Sequence, residues 1–96
     1  MPVYHGTDIA IRVGDHVRTG GDNGPPGTVV FVISTNDWRP DFLQGHEWYV
    51  AKFGSGVMVE GLTTGLALHR EDDDELIFVE RQEPDQQGSK TATTDV

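Results

Sequence analysis

The apolar residues of this chain occur in short runs, separated by glycine, proline and small polar residues. The clearest run, at 28–34, joins β-branched and aromatic residues between Gly27 and a polar turn, which is typical of a strand buried on both faces. No segment carries a sustained helical period of apolar residues, so the sequence predicts an all-β domain. Shorter strand signals, alternating or β-branched, occur at 9–13, 16–19, 57–60, 66–70 and 76–80.

The connections between these segments carry turn residues. The composition of 20–27, GGDNGPPG, predicts a loop, and 61–65, GLTTG, predicts a hairpin connection. Segment 36–47 is predicted to be irregular because the Arg39-Pro40 pair interrupts a helix, although its apolar side chains still need packing partners. Segment 47–53, EWYVAKF, fits either a strand or a single helical turn.

The length of 96 residues allows one domain with a modest core. We expect that domain to span residues 1–81. The remaining segment, 82–96, is rich in Gln, Thr, Ser, Asp and Gly and has little apolar surface to bury, so it is expected to be a disordered tail.

The composition indicates the cellular compartment of the protein. The absence of cysteine excludes disulfides, thiolate zinc sites and cysteine nucleophiles, and it favours a reducing compartment. The first residues lack a signal-peptide pattern, and no apolar stretch approaches the roughly 20 residues that span a bilayer. We therefore expect a cytoplasmic protein that does not enter a membrane.

The charge balance limits the class of partner. The formal net charge is -9, from 16 acidic and 7 basic residues. Binding to nucleic acid or to an anionic membrane rests on Lys and Arg, so the charge has the wrong sign for both. An acidic surface attracts a basic protein instead, and the alternative is that the charge serves only solubility.

The stretch VGDHVRTGGDNGPPGTVVFV at 13–32 resembles the opening hairpin of SH3-like barrels of the KOW and Tudor-like group. The positions that carry the resemblance are Gly14, Asp15, Val17, Gly27 and Val29. Gly14 permits a tight turn, Val17 faces the core, and Gly27 lets the chain turn back into a buried strand. The resemblance implies one SH3-like barrel of five or six short antiparallel strands, and it implies an adaptor role on transcription or translation machinery.

The second half of the chain, GVMVEGLTTGLALHREDDDELIFVE, is similar to small acidic bacterial proteins that accompany polymorphic toxins as immunity factors. This resemblance implies an inhibitor that binds a toxin. The first hairpin also departs from RNA-binding KOW domains, since it has Arg12 and Arg18 but no basic cluster, and its loop carries Asp22.

An aromatic group within twelve positions is the first candidate binding surface. Its members are Trp38, Arg39, Phe42, Trp48 and Tyr49. Trp, Tyr and Arg are enriched at interface hot spots, and aromatic rings also form cages for methylated amines in Tudor-type barrels. The alternative is that Trp38 and Phe42 cap one end of the barrel while Trp48 fills its core.

The acidic run at 71–75 is the second candidate surface. It consists of Glu71, Asp72, Asp73, Asp74 and Glu75. The run is predicted either to dock a basic cleft of a partner or to be a solvated turn. A calcium site is a third alternative, but consecutive acids do not match the spaced ligands and central Gly of an EF-hand loop.

No metal, cofactor or catalytic site is predicted. The four histidines, His5, His16, His46 and His69, lack the spacing that puts two imidazoles on one face of a strand or helix. The sequence has no G-x-S-x-G or H-E-x-x-H motif, and no Lys follows the glycine-rich loop as a phosphate loop requires. The acidic charge and the resemblance to immunity proteins together imply a protein-binding inhibitor, with an adaptor module as the alternative, and the oligomeric state stays open.

Overall fold

The computed structural model describes residues 2–62 and 65–81. The described residues form a β-rich domain, as predicted, with one 3-10 helix and one short α-helix. The predicted disordered segment, 82–96, lies outside the described residues. The strands are β1 (His16–Arg18), β2 (Pro26–Val32), β3 (Asp37–Trp38), β4 (Val57–Gly61), β5 (Gly65–His69) and β6 (Ile77–Glu80), with the 3-10 helix at Pro40–Gly45 and α1 at His46–Phe53.

The strands form one antiparallel sheet in the order β5-β4-β2-β1-β6, and β3 pairs with the end of β2. The last strand therefore returns to lie beside the first, and β4 and β5 form the predicted hairpin. The sheet is open, with β5 and β6 at its two edges.

β2 is the central strand, and its residues from Val29 to Val32 are fully buried, which confirms the strand predicted to be covered on both faces. The register with β4 shifts between Val29 and Phe31, which is a bulge. One face packs the first cluster, Tyr4, Ile11, Val17, Val29, Val32, Val57, Val59 and Leu76. The other face packs the second cluster, Val30, Phe31, Ile33, Trp38 and Met58, with Phe42, Tyr49 and Leu68 against it.

Two glycines of the first hairpin have different roles. Gly14 has a φ of 94°, so it makes the tight turn that the sequence predicts, and its N–H donates to the carbonyl of Val29 at 2.9 Å. Gly27 lies inside β2 rather than in a turn. A Cβ at this position would lie 2.6 Å from Cγ1 of Val59, so Gly27 is needed for the close approach of β4.

Two predictions of local structure were wrong. Residues 9–13 form no strand; only an isolated bridge joins Val3 to Ala10, and Ile11 is buried in the first cluster. Part of the segment predicted as irregular is the 3-10 helix, which begins at Pro40. Proline is tolerated there because the first turn of a helix does not use its N–H groups. Segment 47–53, whose sequence fits either a strand or a helical turn, is helical.

Candidate functional site

The predicted aromatic group divides between core and surface. Trp38 is buried, its ring centroid lies 4.4 Å from that of Phe31, and its Nε1 donates to Oδ1 of Asn36 at 2.7 Å. The rings of Phe42 and Tyr49 lie 5.6 and 4.8 Å from Phe31. These three rings therefore pack on Phe31 as part of the second cluster, as the core interpretation of Trp38 and Phe42 expects.

Trp48 lies on the surface, so the interpretation of this residue as a core filler was wrong. Its exposed fraction is 59%, and α1 has no buried residue. Phe53, at the end of α1, is 40% exposed and lies 6.0 Å from Trp48 between ring centroids. Sequence reasoning missed Phe53. In a helical interpretation of 47–53, Tyr49 and Phe53 are four positions apart and lie on one face of the helix, with Trp48 beside that face.

Arg39 is engaged within the protein. Its guanidinium donates two hydrogen bonds to Asp41, at 2.7 and 2.9 Å, and one to Glu60 at 3.0 Å. The hydrogen bonds from Arg39 lower the pKa of the Asp41 carboxyl. The guanidinium also lies 5.3 Å from the centroid of the Phe42 ring. Arg39 thus packs over Phe42 at the edge of the second cluster, and two carboxylates offset its positive charge.

The five acids of the run also divide. Glu71 accepts hydrogen bonds from the backbone N–H of Gly56 at 3.0 Å and of Ser34 at 3.3 Å, so it holds together the loops at the end of β2 and the start of β4. Asp73 accepts from the backbone of Glu75 at 2.9 Å and from Nδ1 of His69 at 3.0 Å. Burial opposes ionisation of Asp73, but these hydrogen bonds outweigh it and lower its pKa.

The other three acids of the run are exposed. Asp72 forms a two-contact ion pair with Arg70, 3.1 Å at each contact, and the hydrogen bonds from Arg70 lower its pKa. Asp74 and Glu75 present their side chains to solvent. The predicted acidic surface therefore consists of Asp72, Asp74 and Glu75, while Glu71 and Asp73 organise the turn.

A cleft of about 980 Å³ lies where β2 ends, β4 begins and β5 ends. It brings together the end of α1 and the acidic turn, which the sequence presents as separate features. A smaller hollow, lined by His5, Arg70, Asp72, Asp73 and Asp74, adjoins it. The cleft is lined by Pro2, Val3, Tyr4, His5, Gly6, Ser34, Phe53, Ser55, Leu68, His69, Arg70, Glu71 and Asp72.

His69 contributes an unusual polar group to the wall of this cleft. A carboxylate only accepts hydrogen bonds, so Nδ1 of His69 carries the proton that it shares with Asp73. In the neutral ring Nε2 is then an acceptor. That atom is buried and has no hydrogen-bond partner among residues 2–62 and 65–81.

Sequence reasoning gave Asp15 no role beyond the hairpin motif, but the structure places it at the centre of a buried network. Asp15 is fully buried and accepts hydrogen bonds from the hydroxyl of Tyr4 at 2.6 Å and from the backbone of Arg12 at 3.0 Å. Burial, together with the hydrogen bond to Asp15, raises the pKa of Tyr4. Arg81 completes the network from the far end of β6. These contacts make Asp15 a structural residue.

Within the described residues, no three His, Asp or Glu side chains are grouped as a metal site requires. None of the helices in this part of the chain is long and apolar enough to span a membrane. The chain matches no family model, and neither the curated proteins nor the solved structures contain one with significant similarity to it.

Proposed function

We propose that this protein is a cytoplasmic binding module that neutralises a basic protein partner, and that it is not an enzyme. The observation that carries the proposal is that Phe53 and Asp72 line one cleft, with Trp48 packed against Phe53. Phe53 and Asp72 thus face one cleft, and Trp48 extends the aromatic surface through its contact with Phe53.

The chemistry of this site fits a partner segment in which Lys or Arg stands near an apolar side chain. Trp48 and Phe53 supply the large apolar area that anchors a hot spot. Asp72, Asp73 and Asp74 outnumber Arg70 in the hollow beside the cleft, and they belong to a chain of net charge -9 that steers a cationic surface toward it. The aromatic residues thus account for affinity and the acids for the rate of encounter.

The most concrete version of the proposal is a bacterial immunity protein whose target is a toxin. Its scaffold in this proposal is an SH3-like barrel. The pairing of β6 with β1 supports that assignment, as does the β1–β2 hairpin that carries the Gly14-Asp15 turn. The packing of Trp38, Phe42 and Tyr49 on Phe31 favours binding of a protein surface over capture of a methylated amine in a cage.

The test starts with capture of a partner from a lysate of the native host on the immobilised full chain. The wild type is compared with the Trp48→Ala/Phe53→Ala double variant and with Val79→Ala, a matched control that is exposed on β6 and does not line the cleft. The captured protein is then purified for binding measurements. We expect the double variant to lose it and the control to retain it.

Kinetics with the purified partner test the role of charge. Asp72→Asn/Asp74→Asn is expected to slow association at low salt by about tenfold and to flatten its salt dependence. Unchanged association would exclude the acidic turn from the contact. Salt-sensitive retention of RNA or DNA by the wild type contradicts the whole proposal, and a ribosomal or polymerase subunit as partner supports the adaptor alternative instead.

A further inference from the structure

β5 is an edge strand without the features that usually protect an edge. It pairs with β4 through a regular five-residue register, from Gly61 opposite Gly65 to Val57 opposite His69. Within the described residues, its other side makes no backbone hydrogen bond to another segment. Such a row of free N–H and C=O groups recruits a further strand unless Lys, Pro or a bulge prevents it, and the β5 sequence GLALH has none of these.

We propose that β5 pairs antiparallel with β5 of a second copy, so that two sheets join across a two-fold axis. The strand is self-complementary about Ala67. In that register Leu66 of each copy lies opposite Leu68 of the other, and Ala67 lies opposite itself. A two-fold interface requires this kind of self-matching, and no two Lys, Arg, Asp or Glu side chains of the strand face each other.

The side chains of β5 favour this arrangement. Leu68 lies opposite Met58 on β4 and packs against the second cluster, and Leu66 points to the same face by the alternation of the strand. Leu66 is 48% exposed, and Leu62, in the hairpin connection, is 81% exposed. Pairing continues the second cluster across the axis and covers Leu66, which the isolated chain leaves in water.

The charge of the chain predicts how this dimer responds to salt. Each copy carries a net charge of -9, so the copies repel one another at low ionic strength. Screening over a Debye length of about 10 Å at ~0.1 M salt weakens that repulsion. The association constant of the dimer is therefore expected to rise with salt, whereas binding of a basic partner falls. Because salt strengthens dimerisation and weakens partner binding, the two proposals can fail independently of each other.

The test is sedimentation equilibrium of the full chain over a wide concentration range at low and high salt. Ala67→Lys and Ala67→Glu each place two like charges directly opposite one another across the axis, so each variant alone is expected to lose at least about tenfold in association. A mixture of the two variants restores pairing through opposite charges. Val79→Lys, exposed on the β6 edge, is the control and is expected to dimerise as the wild type does.

Circular dichroism of each variant verifies that the fold is retained, and Leu66→Lys serves as a second disrupting change if an Ala67 variant does not fold. A wild type that is monomeric at every concentration and salt overturns the proposal. A mixture of the Ala67 variants that does not associate, or a control that dissociates while the β5 variants do not, overturns it as well.

Discussion

Asp15 and Arg81 are 66 positions apart, yet the Arg81 guanidinium donates to both carboxylate oxygens of Asp15, at 2.7 and 3.0 Å. The same guanidinium donates to the carbonyl of Ala10 at 2.6 Å and lies over the ring of Phe78. Asp15 is fully buried. The first turn of the domain and the end of β6 are therefore joined by a charge pair that water does not reach on its acidic side.

We expect Arg81→Met to lower the free energy of unfolding by about 3–5 kcal/mol, because it leaves a buried carboxylate without its counter-charge. Methionine keeps apolar contact with Phe78, so the decrease in the free energy of unfolding measures the loss of the charge and its hydrogen bonds. Urea unfolding provides the measurement. Arg70→Met, which removes an exposed ion pair with Asp72, is the matched control and should leave the midpoint unchanged. Similar losses in both variants would show that the burial of Asp15 does not matter.

The raised pKa of Tyr4 predicts a loss of stability at alkaline pH. In the unfolded chain the phenol deprotonates near its ordinary value of 10.0, whereas burial and Asp15 keep it protonated in the folded state. The stabilisation is complete below that value. Above it the unfolded state holds fewer protons, so the free energy of unfolding falls by up to about 1.4 kcal/mol per pH unit.

The variant Tyr4→Phe removes this ionisation. It is expected to be less stable than the wild type at neutral pH by about 1.5–3 kcal/mol, because Asp15 loses a charged hydrogen bond. Its stability should then fall less steeply above pH 10.0. Urea midpoints across this range for both proteins provide the comparison, and parallel pH profiles would contradict the assignment.

Glu71 and Asp74 belong to the same acidic run, but we expect them to respond differently to substitution. Glu71→Ala leaves the N–H groups of Gly56 and Ser34 without their acceptor, which is expected to cost about 1–3 kcal/mol of stability. Hydrogen exchange of the Gly56 amide should accelerate in the same variant. Asp74→Ala is the control, with neither effect. A stable Glu71→Ala protein with a protected Gly56 amide would show that the carboxylate does not hold these loops.

The two tryptophans are expected to differ in their contribution to stability. Trp38→Ala removes a buried ring from the second cluster and is expected to cost about 3–5 kcal/mol. Trp48→Ala changes an exposed ring, so its effect on stability should stay within about 0.5 kcal/mol. Urea unfolding of both variants checks the order. If Trp48→Ala were the more damaging change, α1 would have to be packed more tightly than its exposure shows.

The strands of this fold are visible in the sequence where the signal is local. The run through Val29 and Phe31 is rich in β-branched residues and predicts a strand, and the glycines at 61 and 65 mark the β4–β5 hairpin. α1 is not visible in this way. This helix has no side-chain cap and no buried residue. Its Tyr49 ring packs on Phe31, which lies on β2 far away in the sequence. The helical state of 46–53 is thus supported by a tertiary contact that no local pattern records.

The sequence predicts the residue types of the candidate site but not their arrangement in space. A run of five acids looks uniform in sequence, yet Glu71 is used by backbone amides of two other loops while Asp72 stays at the surface. Phe53 and Asp72 line the same cleft because β5 returns beside β4 and leads the chain to the end of α1. Contacts of this kind depend on topology, which composition and spacing do not encode.

The pairing of β6 with β1 has a consequence for synthesis. A nascent chain that has emerged only as far as β5 contains Asp15 but not Arg81, and it lacks Leu76 from the first cluster. Domains generally fold as units during translation. In this domain the Asp15–Arg81 ion pair and the first cluster are complete only after β6 has been synthesised. Premature termination before Arg81 would therefore release a product for proteolysis rather than a shorter working domain.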